Sequence, residues 1–144
     1  MGDNYCEYNF ASEPTRVRFV VRSLLEFIDG QNMKRGLKPE VRDDLKLVFS
    51  ELLFNAVIHG NKGDRKKFVF VRVETSTSFV SACIKDEGPG FNYHEVLERA
   101  HSDEAIMSES GRGMVLACAL TDSLTFNELG NQIKFVKNLG SGYG

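Results

Sequence analysis

The sequence predicts an α+β domain, a two-layer α/β sandwich whose mostly antiparallel, mixed sheet carries helices on one face. Two long segments in the N-terminal half repeat their apolar residues at helical spacing, and runs rich in Val and Phe come in adjacent pairs, as in hairpins. The resulting order is strand, helix, helix, strand, strand, helix, helix, strand, strand. It does not alternate as a doubly wound parallel sheet requires, so the helices are expected to collect on one side of the sheet.

Residues 5–10 read as the first strand. Ser12 is placed to cap the helix that follows, and Pro14 suits its first turn, where a missing N–H is tolerated. Residues 14–33 form the first helix, because Val17, Val20, Val21, Leu24, Leu25 and Ile28 recur at its period. The second helix starts near Pro39, after a loop containing Gly36. Its stripe is Val41, Leu45, Val48, Leu52 and Ala56, flanked by Phe49, Leu53 and Val57. Gly60 and Asn61 are expected to stop it, since both tolerate positive φ. After a charged turn at 62–67, residues 68–75 and 78–86 read as a hairpin. A loop with two glycines follows, then a short helix at 93–100. Residues 101–113 are polar, lack periodicity and are expected to be mobile. Residues 114–120 form a small-residue helix, and 124–126 with 132–136 close the sheet as a hairpin around Gly130. One domain over residues 1–139 and a flexible tail at 140–144 are the expected organisation of the 144 residues.

Composition narrows the function classes. Hydrophobic residues make up 42% and charged residues 26%, which excludes wholesale disorder. A net charge of -2, from 18 basic and 20 acidic residues, gives no general pull toward nucleic acid. No apolar run approaches the roughly 20 residues that span a bilayer. The most apolar stretch, 47–58, is interrupted by Ser50, Glu51 and Asn55. The start, Met-Gly-Asp-Asn-Tyr-Cys, lacks the basic opening and apolar block of a secretion signal. Cys6, Cys83 and Cys118 lie far apart with no Cys-x-x-Cys, which argues against a disulfide framework and a zinc site. Cys83 and Cys118 are expected as buried thiols. A cytoplasmic protein with no membrane and no direct nucleic-acid partner is the expectation.

Three local features carry chemistry. Glu51, Asn55 and His59 are spaced by four, so they share one face of the second helix as a polar row between apolar rows. An amide at Asn55, between Phe54 and Ala56, must find partners or costs about 1–3 kcal/mol. The row is either a solvated stripe or a carboxylate and an amide oxygen aimed at a metal or a reacting group. The second feature is Asp86-Glu87-Gly88-Pro89-Gly90. Val80, Ala82 and Ile84 share one face of the preceding strand, and alternation puts Asp86 on that face. Gly88 and Gly90 permit a sharp turn and a close ligand approach. This is either a strand-exit turn or a buried acceptor suited to an exocyclic amine such as that of adenine. The third is Ser110-Gly111-Arg112-Gly113-Met114 ahead of a helix, where backbone N–H groups and the Arg112 charge favour anions. Together these are the parts of a Mg·ATP site. Neither a P-loop pattern nor the protein-kinase His-Arg-Asp loop is present.

Read as boxes, these segments resemble the GHKL superfamily, the Bergerat-fold (histidine kinase-like) ATPases. Residues 51–61, Glu-Leu-Leu-Phe-Asn-Ala-Val-Ile-His-Gly-Asn, resemble its N box; 86–90 resemble its G1 box; and Gly111-Arg-Gly-Met resembles its G2 box. The likeness runs from about residue 10 to about 137. Within the superfamily the chain most resembles the small bacterial anti-sigma factor serine/threonine kinases. The resemblance implies ATP and Mg2+ as cofactors, phosphorylation of a STAS-domain anti-sigma factor antagonist, sequestration of a sigma factor, and a homodimer. Position by position it implies that Asn55 ligates Mg2+ and Glu51 is the general base. Asp86 accepts from the adenine amine, Gly88 and Gly90 admit the base, and His59 belongs to the nucleotide-binding set. Gly111, Arg112, Gly113 and Met114 line the phosphates, and residues 101–110 form a lid over the nucleotide. Glu109 stands where some relatives place an arginine, and Arg112 is expected to supply that charge. A nucleotide-gated regulatory binding protein with little or no kinase activity is the alternative. His94 and His101 fall in the lid region and are expected to be solvated.

Overall fold

Alternating Val and polar residues build the centre of the sheet. In the computed structural model, which describes residues 4–31, 36–90, 92, 95 and 109–139, strands β2 (Phe68–Thr75) and β3 (Phe79–Lys85) form an antiparallel hairpin. β1 (Tyr5–Ala11) pairs with the free side of β2, and the hairpin of β4 (Ser123–Phe126) and β5 (Gln132–Asn138) adds to β3 through β5. The order is β1-β2-β3-β5-β4, and every pair among the described residues is antiparallel, so the mixed sheet expected from sequence is not found there. Gly130, at φ 83°, turns the last hairpin, and the Asn127 carboxamide oxygen accepts from the N–H groups of Gly130, Asn131 and Gln132.

The helices lie on one face. Helix α1 (Pro14–Gln31) buries Val17, Val20, Val21, Leu24, Leu25 and Ile28, all six of the expected stripe. Its expected last residues fall outside the described ones. Helix α2 (Pro39–Asn55) begins with proline after an extended Lys38 (φ -60°, ψ 141°), as the residue before proline prefers. The Asp29 carboxylate joins the two helices by accepting from the Leu37 N–H at 3.1 Å and pairing with Arg42 at 2.9 Å. Leu45, Val48, Phe49, Leu52 and Leu53 of α2 are buried against Val69, Val71 and Val73 of β2 and Ile133 and Phe135 of β5 in one core. Phe49 and Phe135 meet edge to face, ring centroids 5.3 Å apart, a geometry that contributes about 0.5–1.5 kcal/mol beyond the area it buries.

Four local expectations need correction. Ser12 does not serve as a helix cap: its hydroxyl donates to the Lys67 carbonyl at 2.8 Å and accepts from the Asn61 amide at 2.7 Å. Gly60 and Asn61 do not stop α2 by adopting positive φ. Residues Ala56–Gly60 instead form a π-helical turn closed by the Asn61 N–H donating to the Ala56 carbonyl, and positive φ first occurs at Lys62 (54°) and Gly63 (69°). Helix α3 (Glu109–Ala119) begins five residues ahead of the expected start at 114, so the glycines of the third motif lie inside its first turns. Cys83 and Cys118 are half-buried, as is Cys6, whose thiol burial pushes up to about 11. The expected helix at 93–100 lies outside the described residues except for Glu95, which is helical; the polar segment at 101–108 and the tail at 140–144 lie wholly outside them.

Candidate nucleotide site

The polar row, Glu51 and Asn55 on α2 and His59 on the π-helical turn after it, faces α3 across a cavity of about 430 Å³. Glu51, Asn55 and His59 line one wall, and Arg112 and Gly113 of α3 line the other. Asn55 is buried at 7% exposure, yet no sealed side-chain nitrogen or oxygen lacks a partner among the described residues. Opening on a cavity is how an amide survives between Phe54 and Ala56. Phe54, Ile58 and Leu116, all partly exposed, form an apolar rim to the same cavity.

Gly113 explains how the two walls come so close. A Cβ there would overlap Oε2 of Glu51, so the Glu51 carboxylate packs directly on the α3 backbone. Gly111 and Arg112 occupy the first turn of α3, where backbone N–H groups have no partner within the helix and the helix dipole favours anions. Arg112 is exposed and adds a positive charge beside the Glu51–Asn55 wall. The Met114 side chain points elsewhere: it is 1% exposed and belongs to the hydrophobic core, and Met114 does not line this cavity.

Asp86 does not line this cavity. It stands at the far end of the π-helical turn, 3% exposed, at the place strand alternation predicts. Its Oδ1 accepts from the Gly88 N–H at 2.8 Å. A Cβ on Gly60 would overlap the Asp86 carboxylate, and one on Gly88 would overlap the Gly60 carbonyl. Glycine at both positions is therefore a condition for seating the carboxylate against the end of the π-helical turn. Gly90, at φ 100°, packs its Cα on the Leu129 carbonyl in the β4–β5 turn. The structure thus groups Glu51, Asn55, His59, Arg112 and Gly113 around one cavity. It groups Asp86, Gly88 and Gly60 at a second point one π turn away, and sets Gly90 against β4–β5. Sequence reasoning missed Gly60, read only as a helix stop, and Asn61, whose buried amide makes three hydrogen bonds. The expected lid lies outside the described residues apart from the start of α3.

Burial raises the Asp86 carboxyl above the ordinary carboxylate range, offset in part by the Gly88 N–H and by the charge of Lys67. A raised value means the folded chain holds the proton more tightly than the unfolded one. Asp86 therefore costs stability as pH rises from acid through its folded value, and the cost is complete above it. Asp86→Asn is expected to melt higher than the parent protein at pH 7, with the difference shrinking to nothing below about pH 4. Thermal melts of both proteins across this range check it; a parent protein that melts higher at pH 7 contradicts it.

Among the described residues no group of three or more His, Cys, Asp and Glu side chains could hold a metal ion. The oxygen donors on the cavity wall are the Glu51 carboxylate and the Asn55 carboxamide. That pair suits a hard cation such as Mg2+, which keeps waters and takes its other ligands from phosphates, and does not suit a protein-only metal centre. No helix among the described residues is long and apolar enough to cross a membrane.

An antiparallel sheet with helices on one face, a polar row on α2 and a glycine-bearing start of α3 are the features of a histidine kinase-like ATPase domain. Residues 10–137 match that family over most of the chain, and the protein belongs to it. Among individual proteins it is similar to the anti-sigma F factor of Clostridium perfringens (strain SM101 / Type A), 27% identical over 125 residues, 85% of each chain. It is also similar to the anti-sigma F factors of Bacillus cytotoxicus and of Bacillus cereus (strain G9842), each 32% identical over 74 residues, 51% of each chain.

Proposed function

We propose that this protein is an ATP-dependent serine/threonine protein kinase and anti-sigma factor. It phosphorylates a STAS-domain anti-sigma factor antagonist, sequesters a sigma factor, and works in the cytoplasm as a homodimer. The observation that carries the reading is the convergence of Glu51, Asn55 and Arg112 on one cavity, with the buried Asp86 carboxylate one turn further along. Membership of the ATPase family and likeness to proteins named anti-sigma F factor support it.

In this reading Asp86 accepts a hydrogen bond from the exocyclic amine of adenine, and the phosphates extend past Asn55 and His59 toward the start of α3. Asn55 would hold Mg2+ through its carboxamide oxygen, and the ion would supply charge neutralisation for the phosphates. Gly111, Arg112, Gly113 and the Met114 backbone face the phosphates; Gly88 and Gly90 leave room for the base. Glu51 orients the partner's serine or threonine hydroxyl and takes its proton as the oxygen attacks the γ-phosphorus. A bond to that oxygen forms, the bond from the γ-phosphorus to the β–γ bridging oxygen breaks, and ADP leaves.

A neighbouring groove supports a protein substrate. It measures about 450 Å³, is bordered by Arg18 and Arg22 of α1 and Lys46 of α2, and shares Phe54 with the nucleotide cavity. A partner with an acidic surface would find charge complementarity there, beside Glu51.

Incubation with labelled Mg·ATP and each STAS protein encoded by the same genome tests the function. One labelled partner band is the expected result. Nucleotide-dependent partner binding without any labelled band would instead establish a nucleotide-gated binding protein. The metal assignment has its own check: Asn55→Ala is expected to bind ATP no more tightly in Mg2+ than in EDTA, whereas the parent protein gains about tenfold or more from the ion. A variant that keeps the full gain removes Asn55 as the ligand.

A further inference from the structure

Asn61 is 1% exposed, and its side chain ties together three segments distant in sequence. Its Nδ2 donates to Ser12 Oγ at 2.7 Å, at the junction of β1 and α1, and to the Phe68 carbonyl at 3.0 Å, where β2 begins. Its Oδ1 accepts from the Glu87 N–H at 2.8 Å. Glu87 lies between Asp86 and Gly88, and its own carboxylate accepts from the Phe68 N–H at 2.8 Å. The Asn61 backbone closes the π-helical turn on Ala56. Gly60, the preceding residue, is the one against which the Asp86 carboxylate sits. Residues 60–61 and 86–88 are thus locked to each other as a pair.

We propose that Asn61 is a positioning residue, which holds the 86–88 loop so that the Asp86 carboxylate meets the exocyclic amine of a purine. The proposal rests on the nucleotide reading above. A brace needed only for stability would have no reason to hold a carboxylate here. Val80, Ala82 and Ile84 point into the core, and an apolar residue in place of Asp86 would continue their series without placing a charge among them. The Asn61 bonds fix a group that is costly to bury at the one spot where the π-helical turn and two glycines leave room for it. A hydrogen-bonding group must stand within a few tenths of an ångström of its partner to discriminate, so a loosened loop loses selectivity before it loses the fold.

The test compares ATP with purine riboside triphosphate, which lacks only the amine, by calorimetric titration of the full chain in Mg2+. The parent protein is expected to bind ATP at least about tenfold more tightly. In Asn61→Ala that preference is expected to fall to within about twofold of unity, while the affinity for the amine-free analogue changes by less than about threefold. A parallel loss for both nucleotides, or an unchanged preference, overturns the positioning role. Should Asn61→Ala fail to give a cooperative melt, Ser12→Ala removes one of the three bonds and is expected to reduce the preference in the same direction; an unchanged preference in folded Ser12→Ala overturns the proposal. A parent protein that does not distinguish the two nucleotides overturns the amine contact itself, and with it both the nucleotide reading of Asp86 and this role for Asn61.

Discussion

Glu51→Gln is expected to bind nucleotide within about threefold of the parent protein and to transfer phosphate about a hundredfold to ten-thousandfold more slowly. The glutamine keeps the shape of the side chain on the cavity wall but takes no proton from an attacking hydroxyl. Gly113→Ala approaches the same group from the other side. Its Cβ would overlap Glu51 Oε2, the end of a flexible side chain, so the carboxylate swings away at little cost to the fold. It too is expected to lose transfer by about a hundredfold, with a melting temperature within a few degrees of the parent's, because a small displacement of a reacting group removes much of its effect. Single-turnover transfer rates and melts on the two variants check this. Undiminished transfer in Glu51→Gln would remove the base assignment. Normal transfer in Gly113→Ala would mean that the carboxylate position seen against α3 does not matter to the reaction.

Gly88→Ala carries a large expected cost to the fold. The added Cβ meets the Gly60 carbonyl carbon and oxygen and the Asp86 carboxylate. Backbone cannot rotate aside as a side-chain tip can, and Gly60 is held by the π-helical turn on one side and by Asn61 on the other. Overpacking of this kind costs about 3 kcal/mol or more, a fall in melting temperature of roughly 6–12 °C for a domain of this size, and nucleotide binding should go with it. Gly30→Ala is the control. Its Cβ would meet nothing within 4 Å and it lies in α1, so alanine is expected to be neutral or to stabilise by up to about 1 kcal/mol. Equal melting temperatures for the two variants would show that the close approach of residues 60 and 88 is not a real constraint.

The sequence disclosed what depends on neighbours in the chain and concealed what depends on residues far away. The α1 stripe was legible because burial of a helix face follows from spacing alone, and all six of its residues are buried. Inward placement of Asp86 was legible for the same reason, two residues beyond Ile84 on an alternating strand. Ser12 looked like a helix cap because its partner, Asn61, stands 49 positions on and nothing local announces it. Gly60 looked like a helix stop because glycine signals a terminus; the carboxylate that needs its missing side chain arrives from β3. The start of α3 is hidden from a reading of the sequence because Gly111 and Gly113 lower helix propensity and no apolar period precedes Met114. Gly113 sits inside that helix because the Glu51 carboxylate packs on it, a contact between elements that a reading of one segment cannot reveal.

The most direct measurement is a crystal structure of the protein with Mg2+ and a non-hydrolysable ATP analogue. The adenine amine is expected within hydrogen-bonding distance of the Asp86 carboxylate, Mg2+ on the Asn55 carboxamide oxygen, and the γ-phosphate between Glu51 and the first turn of α3. A nucleotide bound with its base away from Asp86, or a cavity between α2 and α3 that stays empty at saturating analogue, would contradict the nucleotide reading.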